Sequence, residues 1–246
     1  MYRYKAVVEY DGSGFNGWQS QPNGNTIQQC IQNSFKEISL GKIEIFGSGR
    51  TDSGVHALGQ VFHFDINLEI ESGKVTNSLN HFLKKNHISI LKIERVEKNF
   101  DARRSAILRT YFYKILNRTS PPAILEQRAW HISKKLDFDL MKEAASVFLG
   151  VHDFTTFRSS SCEANSPIRE IIHSQIEKKG DEVIYRIKSR SFLQHQVRSI
   201  VGAIKNVGEK KWSLNDLKKS LLSKNRKNCA SPAPACGLYL ENVQYE

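Results

Sequence analysis

Eleven consecutive residues of this chain, Gly47-Ser48-Gly49-Arg50-Thr51-Asp52-Ser53-Gly54-Val55-His56-Ala57, gather a cation, a carboxylate, three hydroxyls and an imidazole in a frame of small residues. Such a density of polar groups exceeds what a mere connector needs. If Arg50 and Asp52 lie in extended backbone, their spacing of two points both side chains to one face, where the guanidinium keeps the carboxylate ionised. An ionised, desolvated aspartate suits a nucleophile or a general base. The same residues also fit an ordinary turn, with Asp52 accepting backbone amides and Arg50 on the solvent face, and on their own they leave both readings open.

Two glycine patterns suggest nucleotide chemistry and fail on context. Gly12-Ser-Gly14-Phe-Asn-Gly17 has the G-x-G-x-x-G spacing and follows a predicted strand. A dinucleotide site needs a helix opening at the third glycine, whereas Trp18-Gln-Ser-Gln-Pro22-Asn-Gly24 carries turn residues. Gly49 and Gly54 have phosphate-loop spacing, yet Val55-His56 stands where Lys and Ser or Thr are required. What the glycines support is local geometry: either tight turns or a backbone that a bulky ligand can approach closely. The four cysteines, Cys30, Cys162, Cys229 and Cys236, form no C-x-x-C pair, and the histidines have no metal-site spacing, so neither zinc nor a disulfide framework is expected.

These residues must be held by a fold of 246 residues in which 36 Lys+Arg stand against 25 Asp+Glu, a formal net charge of +11. The excess points to an anionic partner, and a 39% hydrophobic content is enough to bury a core. No apolar run is long enough for a membrane helix, and Met1-Tyr-Arg-Tyr-Lys-Ala-Val-Val-Glu-Tyr10 alternates like a strand instead of resembling a signal peptide, so a cytoplasmic location is expected. In the first part of the chain, strands are predicted over 3–10, 42–46, 60–65 and 88–96, with helices over 26–40 and 73–85. The pattern then restarts. Strands are predicted over 109–116, 170–177, 182–189 and 237–245, with helices over 137–149 and 195–207 and a last short one opened by a capping-box variant at Ser213-Leu-Asn-Asp216. Pro121-Pro122 is the best loop candidate. Two similar sets without regular βαβ alternation predict an α+β fold of two halves, 1–104 and 105–246, sharing one continuous, mostly antiparallel sheet with helices on one face.

The segment Gly47 to Ala57 resembles the catalytic motif of the TruA family of tRNA pseudouridine synthases. Other segments follow in that family's order: Tyr10-Asp-Gly-Ser-Gly-Phe-Asn-Gly-Trp-Gln19, Phe100-Asp-Ala-Arg103, Arg109-Thr-Tyr111-Phe-Tyr113, Gly150-Val-His-Asp-Phe154, Phe192 to Gly202 and Ala233-Pro-Ala-Cys-Gly-Leu-Tyr-Leu240. The resemblance spans essentially the whole chain, although Cys236 stands where the family usually carries another small or polar residue. It implies a pseudouridine synthase fold with an active-site cleft between the halves, and conversion of uridine to pseudouridine at positions 38, 39 and 40 of the tRNA anticodon stem-loop.

The resemblance also implies roles. Asp52 becomes the nucleophile, attacking ribose C1′ or uracil C6. Arg50 holds the aspartate and fills the space of the flipped nucleotide, and Tyr111 packs on the uracil and assists removal of the C5 proton. Arg198, Gly54, His56 and Arg103 complete a substrate-binding set. From their settings alone, Tyr111 fits a core strand residue equally well, and Arg198 a solvated helix charge. For His56 a packed or hydrogen-bonded ring is favoured over a general base, because imidazole is scarce in the family's mechanisms. The reaction is an isomerisation with no net redox change, so no cofactor and no metal is implied. The family works as a homodimer with each tRNA crossing both subunits.

Base chemistry independently requires a pocket for an extruded nucleotide. Clusters such as Lys84-Lys85, Arg103-Arg104, Lys210-Lys211 and Lys218 to Lys227 offer phosphate contacts that position RNA without reading sequence, though a solvated lysine-rich face is the plainer alternative. Charge alone does not separate RNA from DNA, membrane or acidic protein; the resemblance selects tRNA and excludes DNA and membrane. The rival is a noncatalytic basic RNA-binding protein. Against it stands Asp52, since a carboxylate inside a phosphate-binding surface repels the ligand.

Overall fold

The computed structural model describes residues 1–22 and 24–246; Asn23, within the predicted turn after Trp18, lies outside the described residues. The chain forms two compact units. The first, Met1–Ile107 with Tyr239–Glu246, runs through β1 (Tyr2–Tyr10), α1 (Ile27–Glu37), β2 (Ile45–Gly47), β3 (His56–Ile66), α2 (Ser72–Leu83) and β4 (Ile88–Val96). The second, Leu108–Leu238, holds β5 (Leu108–Asn117), β6 (Trp130–Ile132), α3 (Phe138–Ser146), β7 (Gly150–Asp153), β8 (Ile168–Ile171), β9 (His173–Lys179), β10 (Glu182–Ser189), α4 (Gln196–Gly208) and α5 (Leu214–Leu222). A closing strand, β11 (Leu238–Gln244), belongs from Tyr239 onward to the first unit, although chain order alone puts it in the second half. The fold is α+β and its strand pairing mostly antiparallel, as expected.

In the first unit Tyr4, Ala6, Val8 and Tyr10 alternate inward along β1, the period of a half-buried strand. β1 runs antiparallel to β3 on one side and β4 on the other, with Ala6 opposite Phe62 and Ile93. β2 adds antiparallel to β3, and β11 pairs with the start of β3 in parallel, Tyr239 opposite His56 and Leu240 opposite Ala57. Helix α1 buries Ile27, Ile31 and Phe35, and the Phe35 ring lies 4.9 Å from Phe64. Its N-cap is Thr26, whose side chain accepts the Gln29 amide. The helix stops at Glu37, short of the predicted residue 40, because Ser39 takes a left-handed φ of 61°.

In the second unit β10 lies between β5 and β9, antiparallel to both, with Tyr185 opposite Tyr113 and Ile176. β6 pairs with β5 in parallel, and β7 and β8 make a separate antiparallel pair. Helix α4 is almost wholly buried through Val197, Ile200, Val201, Ala203, Ile204 and Val207. The predicted capping box is present: Ser213 accepts the Asp216 amide while the Asp216 carboxylate accepts the Ser213 amide.

Sequence periodicity missed β6 and β7, which are three and four residues long and carry no repeat to detect. It also started β3 too late. The strand begins at His56 and not near residue 60, since the last residues of the motif pair with β11.

Candidate active site

Between β2 and β3 lies the loop 48–55, whose floor is a set of hydrogen bonds to buried polar groups. Ser48 donates its amide to the Val61 carbonyl at 2.7 Å and its hydroxyl to Gln60 Oε1 at 2.6 Å. Gln60, fully buried, returns its Nε2 to the Gly49 carbonyl at 3.0 Å. Thr51 is held twice: its carbonyl accepts the Trp18 amide at 3.1 Å, and its Oγ1 lies 2.8 Å from the Tyr10 hydroxyl. Ser53 donates its hydroxyl to the Phe15 carbonyl at 2.9 Å. The turn closes with the Val55 amide donating to the Asp52 carbonyl at 3.2 Å, and Gly54 supplies the required positive φ of 75°.

The glycine-rich stretch 11–18 packs directly against this loop. A Cβ on Gly12 would sit 2.0 Å from the Val55 carbonyl oxygen. Gly17, at φ 91°, would place one 2.7 Å from the Thr51 carbonyl oxygen. These two glycines thus serve the approach of one loop's backbone to another's, a use that the glycine spacing does not distinguish from turns or from ligand approach.

Asp52 stands half-buried on this fixed loop. Arg50 is exposed and donates its Nε to Gln19 Oε1 at 3.1 Å. Residues 50–52 lie beyond the end of β2 at Gly47 and belong to no strand. His56 lies at 2% exposure beneath the loop. Its Nδ1 accepts the Gly12 amide at 3.1 Å and lies 3.1 Å from Asp11 Oδ1, while its ring stacks on Tyr239 at 4.6 Å. A packed, hydrogen-bonded ring describes it.

Arg103 projects from a turn pinned in the same unit. Asp101 Oδ1 accepts the amides of Arg103 and Arg104 at 2.8 Å each. Burial of Asp101 opposes its charge, but those two amides outweigh it and hold the carboxyl below the usual range. Ala102, between Asp101 and Arg103, donates its amide to His63 Nδ1 at 3.1 Å and accepts the Tyr245 hydroxyl at 2.7 Å. The backbone is thereby fixed while Arg103 and Arg104 stay exposed.

The second unit holds the other two residues of the expected set. Tyr111, half-buried on β5, meets the Phe192 ring edge-on at 5.2 Å. Tyr113, two positions on, is buried with its hydroxyl donating to the Pro234 carbonyl at 2.8 Å, and burial pushes its phenol well up. Of the two tyrosines, Tyr113 is the core residue and Tyr111 the more accessible. Arg198, in the first turn of α4, donates its Nε to the Ala233 carbonyl at 2.7 Å, and the Ala233 amide donates back to the Arg198 carbonyl at 2.9 Å. It is part-buried and not a purely solvated helix charge.

Sequence reasoning missed the roles of Tyr10, Gln19 and Gln60, whose partners lie 41, 31 and 12 positions away. Only Gln60 left a signal, as a polar residue at an inward position of a strand. Among the described residues no cluster of three or more His, Cys, Asp or Glu could hold a metal ion, the cysteines form no disulfide, and no helix is long and apolar enough to cross a membrane.

A family model described as tRNA pseudouridine synthase matches residues 6–103 and 144–246. The chain is 46% identical over 246 residues to tRNA pseudouridine synthase A of Pelagibacter ubique (strain HTCC1062), covering 100% of both chains. Its identity to tRNA pseudouridine synthase A of Bartonella tribocorum is 46% over 247 residues, and to that of Parvibaculum lavamentivorans 42% over 246, again with 100% of both chains covered. Among solved structures, a chain from a Cbf5-Nop10-Gar1 complex is similar at a TM-score of 0.37 and 13% identity, over 82% of this chain and 45% of that one, a likeness too weak to bear on fold or function. With its eleven-residue motif built into a single braced loop and matches that run through both units, the chain belongs to the tRNA pseudouridine synthase family.

Proposed function

We propose that this protein isomerises uridine to pseudouridine at positions 38, 39 and 40 in the anticodon stem-loop of tRNAs, with Asp52 as the nucleophile. The observation that carries the reading is the half-buried Asp52 on a loop whose backbone is held by Gln60 and Trp18 and whose Thr51 hydroxyl meets that of Tyr10. A nucleophile held in place before the substrate arrives needs no reorganisation at the moment of reaction.

In the reaction the N1–C1′ bond breaks, the base rotates, and a C5–C1′ bond forms. The C5 proton leaves and N1 takes up a proton, so product and substrate are isomers. No cofactor and no external donor enters. Asp52 starts the sequence by attacking C1′ or C6, and either route keeps this balance. Tyr111 packs on the uracil and assists loss of the C5 proton. Arg50, exposed beside Gln19, fills the space the flipped nucleotide leaves. Gly54, Arg103 and Arg198 contact the substrate, and His56 supports the loop from beneath. The net charge of +11 supplies phosphate contacts to a folded RNA. The protein acts on tRNA and not DNA, as a homodimer in the cytoplasm.

The test is release of tritium from C5-labelled uridine in a tRNA pool, with pseudouridines then mapped by position. Release by the wild type and none by Asp52→Ala supports the reading; equal release by both removes Asp52 from it. If neither releases label and tRNA still binds, the protein is an RNA-binding module.

A further inference from the structure

Thr51 immediately precedes Asp52 and is gripped through both its side chain and its backbone. Its hydroxyl lies 2.8 Å from the Tyr10 hydroxyl, and both residues are buried, at 7% and 4% exposure. Its carbonyl accepts the Trp18 amide, and the missing side chain of Gly17 is what lets that carbonyl sit so close. The peptide plane joining Thr51 to Asp52 is therefore set by β1 and the 11–18 segment. On the far side of Asp52, its own carbonyl accepts the Val55 amide and closes the turn.

We infer that Tyr10 and Thr51 act as one positioning pair for the Asp52 carboxylate, through a buried hydroxyl-to-hydroxyl bond that fixes the torsions leading into residue 52. Neither touches the substrate. The inference rests on the reading of Asp52 as the nucleophile. A nucleophile must stand within a few tenths of an ångström of its attack line, and displacement by about 1 Å costs about 100-fold in rate. Substrate affinity comes chiefly from phosphate contacts made elsewhere, so loosening this pair lowers the rate and leaves binding alone.

The experiment measures single-turnover rate and tRNA affinity separately, well below each variant's melting temperature. Thr51→Val and Tyr10→Phe are each expected to slow the chemical step by about 10- to 100-fold with affinity within about twofold. The double variant should be no slower than the worse single, because the two residues share one bond. Thr51→Ser, which restores a hydroxyl, should recover most of what Thr51→Val loses. A merely structural role would not produce this split between rate and affinity. If Thr51→Val fails to fold, Tyr10→Phe and Thr51→Ser carry the comparison. Unchanged rates in Tyr10→Phe and Thr51→Val beside a dead Asp52→Ala overturn the positioning pair alone, as do multiplying losses in the double variant. An active Asp52→Ala overturns the nucleophile assignment and this inference with it.

Discussion

His63 Nδ1 accepts the backbone N–H of Ala102 at 3.1 Å, across 39 positions of sequence. The bond needs a lone pair on that nitrogen, so it exists only while the ring is neutral there. Burial, and after it the Arg3 guanidinium, push the His63 pKa below its ordinary 6.5. The folded protein then binds this proton less readily than the unfolded chain, and stability falls where the unfolded chain is protonated and the folded one is not. The contribution is therefore intact above the unfolded value of 6.5 and is lost as pH drops from there through the lower folded value. Denaturant unfolding between about pH 7.5 and about pH 5.5 should show this slope, reduced in His63→Gln. His173, also lowered by burial and then by Lys188 and Arg186, keeps part of the slope in that variant. An unchanged slope would remove His63 from the account.

Gly12→Ala and Gly14→Ala should differ sharply although the positions are two apart. At Gly12 a methyl meets the Val55 carbonyl at 2.0 Å, and neither backbone can yield without moving the motif loop. At Gly14 a methyl meets open space, leaving only the cost of φ 79°. We expect a loss above about 2 kcal/mol for Gly12→Ala and about 1 kcal/mol for Gly14→Ala, measured by chemical denaturation. Equal losses would mean the two loops are not locked together.

Asp52→Asn should abolish pseudouridine formation by at least about a thousandfold while leaving tRNA affinity nearly unchanged. The change is isosteric and removes only charge. Circular dichroism melting checks the alternative: a large fall in melting temperature would show that Asp52 is chiefly a turn residue.

Arg103→Ala and Arg104→Ala should weaken tRNA binding without altering the single-turnover rate at saturating tRNA. For every phosphate that a variant no longer neutralises, the log-affinity against log-salt slope should flatten by about 0.7–0.9. Fluorescence anisotropy across a salt series measures it. A parallel downward shift with the slope intact would place both side chains off the phosphate path.

How much of this was legible in the sequence follows from how local each interaction is. The motif was legible because its residues are contiguous, and β4 was placed to the residue because Ile88, Ile90 and Ile93 signal an edge with one buried face. The capping box at Ser213 was legible because its two partners, Ser213 and Asp216, are only three positions apart. The hydrogen bond from Arg50 to Gln19 was not, since Gln19 comes from a loop that no local pattern ties to the motif. Tyr10 read as one more alternating strand residue, and nothing within β1 says that its hydroxyl meets Thr51. The purpose of Gly12 and Gly17 could not be read either, because turns, ligand approach and loop packing all require the same missing side chain.

Tyr239 and Leu240 pair in parallel with His56 and Ala57, residues made much earlier on the ribosome. The motif loop is synthesised first and the strand that braces its exit long afterwards, so until Tyr239 has emerged His56 lacks the ring it stacks on. The first unit cannot finish folding as it leaves the tunnel but must wait for the second to be made. The pairing at the exit of the loop is thereby made only after the whole of the second unit.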